Sequence, residues 1–281
     1  MAYQAEISRQ NPTAFVFLVD QSGSMADEFK QEGLNKRKCD AVADALNRLI
    51  GEIAIRCAKQ EAVRDYFTLA LIGYGGTAHP AWGGDLSGQL AVPISAVDAH
   101  PIRYDQRTRM MDDGAGGLVP QTVDFPVWLE PAAASGTPMC AALQLALDFL
   151  TEWVSAHPQS YPPVVFNVTD GESTDGDPAA LMQAVRQLAT SDGNVILANV
   201  HLSSLSQEAI RYPLFSDPLP QGDQFAPILR DNASALIPPW VAPLGEVTGR
   251  ALSSSNATFV YNASIVELIQ LLNVGTRVDL R

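Results

Sequence analysis

The sequence predicts an α/β fold with a doubly wound, mostly parallel central sheet and helices on both faces. Apolar runs of strand length alternate along the chain with longer segments in which apolar residues recur every three or four positions. The run at 14–19 is apolar at nearly every position, which is typical of a central strand buried on both faces. The run at 163–169 predicts a second buried strand. Right-handed crossovers between such strands place helices on both sides of the sheet.

The elements that follow the first strand are predicted from periodicity. A helix from about 36 to 59 follows from apolar side chains at steps of three and four. These are Cys39, Val42, Leu46, Leu49, Ile53 and Cys57. The next strand covers 66–72 and ends in the glycine run 73–76, which lacks the spacing and the following helix of a dinucleotide-binding loop. The segment 89–94 alternates weakly and contains a proline, so it predicts an edge strand.

The second half of the chain predicts one long insertion and then further strands and helices. The stretch from His100 to Ala134 is the least regular, and we expect an insertion at about 98–134. A second loop-rich segment covers about 203–250. The other predicted elements are a helix from Pro138, a helix from Pro178, strands at 195–200 and 258–261, short helices at 224–230 and 239–244, and a last helix at 265–272. No linker divides the chain, so we expect one domain over 1–281.

Acidic and hydroxyl side chains follow the two buried strands. Asp20, Ser22 and Ser24 alternate directly after the first strand, and Asp170 follows the strand at 163–169. The carboxyl ends of parallel strands are the ligand-binding edge of an open α/β sheet. A carboxylate with two hydroxyls forms a hard oxygen site, which suits Mg²⁺ or Mn²⁺ better than zinc or copper.

Each of these segments has another interpretation when it is taken alone. The Asp20–Ser24 segment also fits a polar strand-to-loop turn, and Asp170–Gly171 fits a simple turn. Thr137 before Pro138 is what an ordinary helix start looks like, with threonine as the N-cap.

The three segments together resemble the metal-ion-dependent adhesion site of von Willebrand factor A (vWA) domains. D-x-S-x-S, a later threonine in a G-T-P turn and a later T-D-G after a strand carry the resemblance, which extends to stand-alone bacterial intracellular vWA proteins. It implies a Rossmann-like fold in which the segment 89–94 pairs antiparallel with the strand before it. It also implies the metal ligands, which are Asp20, Ser22, Ser24, Thr137 and Asp170.

The resemblance further implies how the site works. The hydroxyls of Ser22 and Ser24 would bind the metal directly, and the two aspartates would act largely through water. A partner protein's Asp or Glu would fill the open metal position, within a bacterial stress, defence, AAA+ or kinase-associated assembly. We expect Asp170 to lie at a sheet edge near water, so that its removal keeps the fold intact and relieves repulsion with Asp20.

The rival class is an Mg²⁺-dependent, phosphatase-like hydrolase that uses the same metal site. Haloacid dehalogenase phosphatases need D-x-D, and Ser22 stands at the second acidic position. Hydrolysis through Ser22 or Ser24 would need a neighbouring base, and no histidine is near these segments in sequence. A structural domain with a vestigial site is disfavoured because all five ligand positions are filled. We therefore expect a binding module rather than an enzyme.

Composition and charge limit the kinds of partner and the cellular compartment that we expect for this protein. The net charge of −13 argues against nucleic acid and anionic membranes as partners. No apolar segment approaches the ~20 residues of a membrane span, and residues 1–11 lack the apolar centre of a signal peptide. Three cysteines without framework spacing favour free thiols and a cytoplasmic location. We expect the four histidines in loops or on the surface, and the basic run 36–38 as a solvated helix start.

Overall fold

The computed structural model describes residues 2–29, 36–59, 62–112, 117–202 and 209–276. Besides three pairs of two-residue strands, its strands are β1 (Thr13–Asp20), β2 (Phe67–Gly75), β3 (Thr77–Pro80), β4 (Ala91–Pro93), β5 (Arg103–Asp112), β6 (Leu118–Val127), β7 (Val164–Thr169), β8 (Ile196–His201), β9 (Ile210–Arg211) and β10 (Phe259–Tyr261). Its α-helices are α1 (Lys38–Cys57), α2 (Ile94–Ala99), α3 (Met139–Ala156), α4 (Ala179–Gln187), α5 (Phe225–Asp231), α6 (Pro238–Thr248) and α7 (Ile265–Gly275).

The central sheet has the order β9-β10-β8-β7-β1-β2-β3, and β4 pairs with β2 beside β3. The five strands from β10 to β2 are parallel, while β3, β4 and β9 run antiparallel at the edges. The predicted doubly wound, mostly parallel sheet is therefore confirmed. The antiparallel pairing expected for 89–94 is present in β4. The chain leaves β1 for β2 on one side and returns as β7 on the other, so the strand order reverses at the β1–β7 pair.

Strand β1 is the centre of the core because all eight of its residues are buried. Its side chains alternate between two hydrophobic clusters, with Phe17 in one and Leu18 in the other. Helices α1 and α7 cover the first face, and α3 and α4 cover the second. Phe17 stacks on Phe166 of β7 with ring centroids 5.5 Å apart. The predicted α1 stripe from Cys39 to Cys57 is buried as expected.

The segment 98–134 is more regular than the sequence indicates. β5 and β6 form a two-stranded antiparallel ribbon that is paired from Arg103–Val127 to Asp112–Leu118. Most of its described residues are exposed, and burial alternates only near its root, at Val123, Phe125 and Val127. β6 also contains Pro120 and Pro126, which argue against a strand unless it lies at an edge. Because of these features, the ribbon could not be predicted from the sequence.

Two smaller differences from the prediction lie at the edge of the sheet. β3 is an additional edge strand, joined to β2 by a turn at Gly76 with φ of 70°. β4 is shorter than predicted because residues 94–99 form α2. No helix within the described ranges combines the length and the apolar character that a membrane span requires.

Candidate functional site

Asp20 ends β1 and is 1% exposed. Its Oδ1 accepts the Ser22 N–H at 2.8 Å, and its Oδ2 accepts the Thr169 hydroxyl at 2.7 Å. Burial raises the pKa of Asp20, and hydrogen bonds from Ser22 and Thr169 offset only part of that rise. The carboxylate is thus fixed in position and costly to ionise without a nearby cation.

The hydroxyls of Ser22 and Ser24 continue the site from Asp20 toward Asp170. Their Oγ atoms lie 3.0 Å apart, and Ser24 Oγ donates to Asp170 Oδ1 at 2.7 Å. Ser22 is buried and Ser24 is exposed, so the site opens to solvent on the Ser24 side. Four of the five predicted ligands therefore form one continuous polar cluster at the point where the strand order reverses.

Thr137 reaches the same cluster from the loop before α3. Its N–H donates to Thr174 Oγ1 at 2.9 Å, and its carbonyl accepts the Thr174 N–H at 2.9 Å. A Cβ built on Gly171 would lie 3.9 Å from both Ser24 Oγ and Thr137 Oγ1, so these two hydroxyls flank Gly171. The structure therefore brings all five sequence-predicted residues together.

The capping role considered for Thr137 is wrong. Helix α3 begins at Met139, and the Asp175 carboxylate accepts the N–H groups of Cys140 at 3.0 Å and Ala141 at 2.8 Å. Burial acts to raise the pKa of Asp175, but these two hydrogen bonds, together with those of the Ser173 and Cys140 side chains, outweigh it and leave the pKa below its ordinary value. The helix start is thus capped from the loop after β7.

Asp170 carries an ion pair that the sequence did not indicate. Its Oδ2 accepts from Lys38 Nζ at 2.8 Å, and the side chains are 0% and 7% exposed, respectively. Two expectations are therefore wrong, namely that the side chain of Asp170 lies near water and that Lys38 belongs to a solvated helix start. A signal for Lys38 existed, because it stands four residues before Val42 on the buried stripe of α1.

The glycine run after β2 has a steric role. A Cβ on Gly73 would lie 2.2 Å from Gln21 Oε1, and one on Gly75 would lie 2.1 Å from the Gln21 carbonyl oxygen. That carbonyl accepts the Ala134 N–H at 2.6 Å. The missing side chains let the segment after Asp20 cross the end of β2 and meet the loop that leads to Thr137.

His201 lies beside the site, and the expectation that it lies in a loop or on the surface is wrong. It ends β8, pairs with Thr169 across the sheet and is 3% exposed. Its Nδ1 lies 3.5 Å from Asp223 Oδ2 but has no hydrogen-bond partner among the residues that the structure describes. Burial lowers the pKa of His201, and the carboxylates of Asp223 and Asp170 offset only part of that effect. The only signal was its place directly after the predicted strand at 195–200.

A buried hydrogen-bond chain supports the strands beneath the site. Tyr74 Oη donates to Asn167 Oδ1 at 2.8 Å, and Asn167 Nδ2 donates to Asn199 Oδ1 at 3.0 Å. Asn199 Nδ2 donates in turn to the Leu229 carbonyl at 2.7 Å. The chain links β2, β7, β8 and α5. Because each donor has its acceptor, it rigidifies the sheet edge that carries Asp20.

The donor set fits a hard divalent cation. Two adjacent ligands of an octahedral Mg²⁺ with bonds of about 2.1 Å lie about 3.0 Å apart. The Ser22 and Ser24 Oγ atoms have that separation. Within the described ranges, no group of three or more His, Cys, Asp or Glu side chains could hold a metal. A site here would therefore combine two carboxylates with three hydroxyls, the oxygen chemistry that magnesium and manganese prefer.

No family model and no curated protein matches the chain. Among solved structures, it is similar to proximal thread matrix protein 1 from the mussel byssus at 13% identity and a TM-score of 0.45, with 96% of this chain and 48% of that chain covered. For the ArnB paralog VWA2 from Sulfolobus acidocaldarius, the identity is 12%, the TM-score 0.30 and the coverage 68% and 35%. The vWF domain of the pili tip protein Mfa5 from Porphyromonas gingivalis is 13% identical with a TM-score of 0.33, and 58% of this chain and 39% of that chain are covered. This chain spans less than half the length of each of these three.

Proposed function

We propose that this chain is a vWA-type protein-interaction module that depends on a divalent metal. In this proposal Mg²⁺ or Mn²⁺ is held by Asp20, Ser22, Ser24, Thr137 and Asp170, and an Asp or Glu of a partner protein completes the site. The observation that carries the proposal is the 3.0 Å separation of the two serine hydroxyls beside a buried carboxylate. That separation suits two neighbouring ligands of an octahedral ion.

The residues of the site have distinct parts in this proposal. The backbone N–H of Ser22 and the Thr169 hydroxyl orient the carboxylate of Asp20. Ser22 and Ser24 offer neutral oxygens, which hold a cation without cancelling its charge. A bound Mg²⁺ or Mn²⁺ would supply an electrophilic position for a carboxylate. Ser24 is exposed, whereas Asp20 is buried, so the partner approaches from the Ser24 side.

The ribbon β5–β6 is our candidate for partner selection. Arg107 Nη2 bonds Asp44 Oδ1 of α1 at 2.7 Å, and its guanidinium lies 3.5 Å from the Phe125 ring centroid. Beyond β6, Asn47 Oδ1 accepts the N–H groups of Trp128 at 2.8 Å and Leu129 at 3.0 Å. These contacts fix the root of the ribbon on α1, and the chain then continues from Leu129 to Thr137.

The far end of the ribbon exposes apolar side chains. Met110 is 58% exposed, Met111 44%, Leu118 66% and Val119 45%. Met111 pairs with Val119 on one face of the ribbon, and Met110 and Leu118, their neighbours along the strands, lie on the other face. Exposed apolar residues that occur together mark interaction surfaces more often than isolated ones do. We infer that a partner contacts this end of the ribbon in addition to the metal.

Metal binding tests the proposal first. We expect calorimetry to show weak Mn²⁺ binding by the isolated chain and none by Asp20→Ala, because that variant lacks the buried carboxylate at the centre of the cluster. Asp27→Ala is the matched control, since it removes an exposed carboxylate seven residues along the chain. Unchanged Mn²⁺ affinity in folded Asp20→Ala would rule out this site.

Partner binding tests the second part. Wild-type and Asp20→Ala baits are compared by capture from the source cell with Mg²⁺ and with EDTA, and the captured proteins are identified by mass spectrometry. A partner of the proposed kind is retained only by the wild-type bait in Mg²⁺. Binding that survives both EDTA and Asp20→Ala would place the interface elsewhere. Mg²⁺-dependent hydrolysis of generic phosphate esters that Ser22→Ala abolishes would instead favour the hydrolase.

A further inference from the structure

Lys38 contacts the candidate metal site without being one of its predicted ligands. Its Nζ lies 2.8 Å from Asp170 Oδ2, and the other oxygen of that carboxylate accepts the Ser24 hydroxyl at 2.7 Å. Both oxygens of Asp170 thus have donors from this chain. The Lys38 and Asp170 side chains are 7% and 0% exposed. By contrast, Lys36, two residues earlier, pairs with Asp44 at side-chain exposures of 49% and 29%.

The position of Lys38 is built by the segments around it. It is the first residue of α1, and its backbone N–H donates to the Asp27 carbonyl at 3.0 Å. Asp27 N–H donates to the Ser24 carbonyl at 3.0 Å, so two backbone hydrogen bonds in succession connect the Lys38 backbone to the serine loop. The fold therefore fixes the backbone position from which the Lys38 side chain reaches the site, and Lys38 is not a flexible surface residue.

A count of charges shows what this ammonium does. Asp20, Asp170 and Lys38 together carry one net negative charge when both carboxylates are ionised. A divalent cation changes the total to plus one, and a partner carboxylate brings it to zero. Without Lys38, the total would already be zero with the cation alone, and the partner carboxylate would make it negative. Because uncompensated buried charge is costly, the neutral state is the favoured one.

We propose that Lys38 is a specificity-determining residue of this site. It holds Asp170, weakens metal binding by the free chain and reserves tight binding for the state in which an anionic partner is also present. This inference rests on the metal site of the proposed function and adds its regulation. It makes the metal and the partner carboxylate bind cooperatively, because each one neutralises charge that the other leaves.

The affinity for Mn²⁺ alone tests the inference. Lys38→Met removes the charge and keeps the apolar stem, and we expect it to bind Mn²⁺ at least tenfold more tightly than the wild type by calorimetry. Lys36→Met is the matched control and keeps the wild-type affinity, because its ammonium pairs with Asp44. Affinity in folded Lys38→Met that is equal to or weaker than that of the wild type overturns the inference. If Lys38→Met does not fold, Lys38→Gln replaces it, because glutamine keeps an uncharged hydrogen-bond donor for Asp170. The same tenfold gain in Mn²⁺ affinity is then expected, and an equal or weaker affinity overturns the inference.

Thermal unfolding separates this role from a purely structural one. Loss of Lys38 lowers the melting temperature in EDTA whether its role is structural or specificity-determining. If Lys38 weakens metal binding, a fixed Mn²⁺ concentration raises the melting temperature of Lys38→Met more than that of the wild type, because stabilisation by a ligand increases as its Kd decreases. A purely structural role of Lys38 predicts no such difference. Equal rises overturn the inference. Asp20→Ala distinguishes the failure of one proposal from the failure of the other. If Asp20→Ala still binds Mn²⁺, the proposed metal site itself is wrong. If Asp20→Ala loses Mn²⁺ binding but Lys38→Met binds Mn²⁺ like the wild type, only the role proposed for Lys38 is wrong.

Discussion

Removal of the Asp170 carboxylate is expected to destabilise this protein strongly. Two effects of Asp170→Ala oppose each other in the metal-free chain. It relieves repulsion with Asp20, and it leaves the Lys38 ammonium buried without its partner. Among the causes that raise or lower the pKa of Asp20, burial is the largest and repulsion from Asp170 the smallest. The orphaned ammonium therefore decides the sign.

The size of the effect follows from the burial of the pair. Removal of one partner of a buried ion pair costs about 3–5 kcal/mol. For 281 residues the unfolding entropy is about 0.6 kcal/mol per kelvin, from roughly 2.1 cal/mol/K per residue. The melting temperature should then fall by about 5–8 °C.

Calorimetric melting in EDTA at neutral pH measures this fall. Glu52→Ala is the control, because it breaks an exposed pair with Arg48 whose side chains are 48% and 39% exposed. Such pairs contribute about 0–1 kcal/mol, so the control should shift by less than about 2 °C. Addition of Lys38→Met to Asp170→Ala should recover part of the loss, since it removes the unpaired charge. An Asp170→Ala protein that melts at or above the wild-type temperature in EDTA would refute the reasoning.

Two further predictions concern the ribbon and the start of α3. Replacement of residues 104–126 by a short Gly/Ser linker should leave Mn²⁺ affinity unchanged and remove partner binding, and undiminished partner binding by the folded variant would exclude a role for the ribbon. Asp175→Ala should cost about 0.5–2 kcal/mol as the loss of a helix cap, and Thr137→Ala should melt closer to the wild type. Because the pKa of Asp175 is lowered on folding, its contribution is present above the unfolded pKa and is lost as the pH falls through the folded one. The difference between Asp175→Ala and the wild type should therefore shrink in acid, and a constant difference would contradict the capping role.

Much of the fold was predictable because its signals are local. β1 and β7 are apolar runs of strand length, and α1 has an apolar stripe at helical spacing. The convergence of Asp20, Ser22, Ser24 and Asp170 was predictable for a related reason, whereas Thr137 was expected at the site only from the resemblance to vWA domains. Parallel strands end at one edge, so side chains that follow two such strands converge once the order of the strands is known.

The rest depended on tertiary contacts that leave no periodic pattern. The ribbon β5–β6 has no buried face along most of its length, so its strands lack the alternation that identifies a half-buried strand. The capping residue of α3 is Asp175, which is distant from the helix in sequence. His201 is a polar residue at the end of a buried strand, and only the sheet order shows that it lies next to Thr169.

Lys38 shows why the ligand positions alone do not determine the behaviour of the site. The same five ligands with a solvated lysine would form a pair of facing carboxylates that a cation neutralises completely. With Lys38 buried against Asp170 at 2.8 Å, a cation bound at the proposed site would leave it positive. In the proposed function, that remaining charge is what an acidic partner side chain recognises. In this proposal, the selectivity for an anion follows from a residue on α1 and its burial, and the ligand residues determine only where the anion binds.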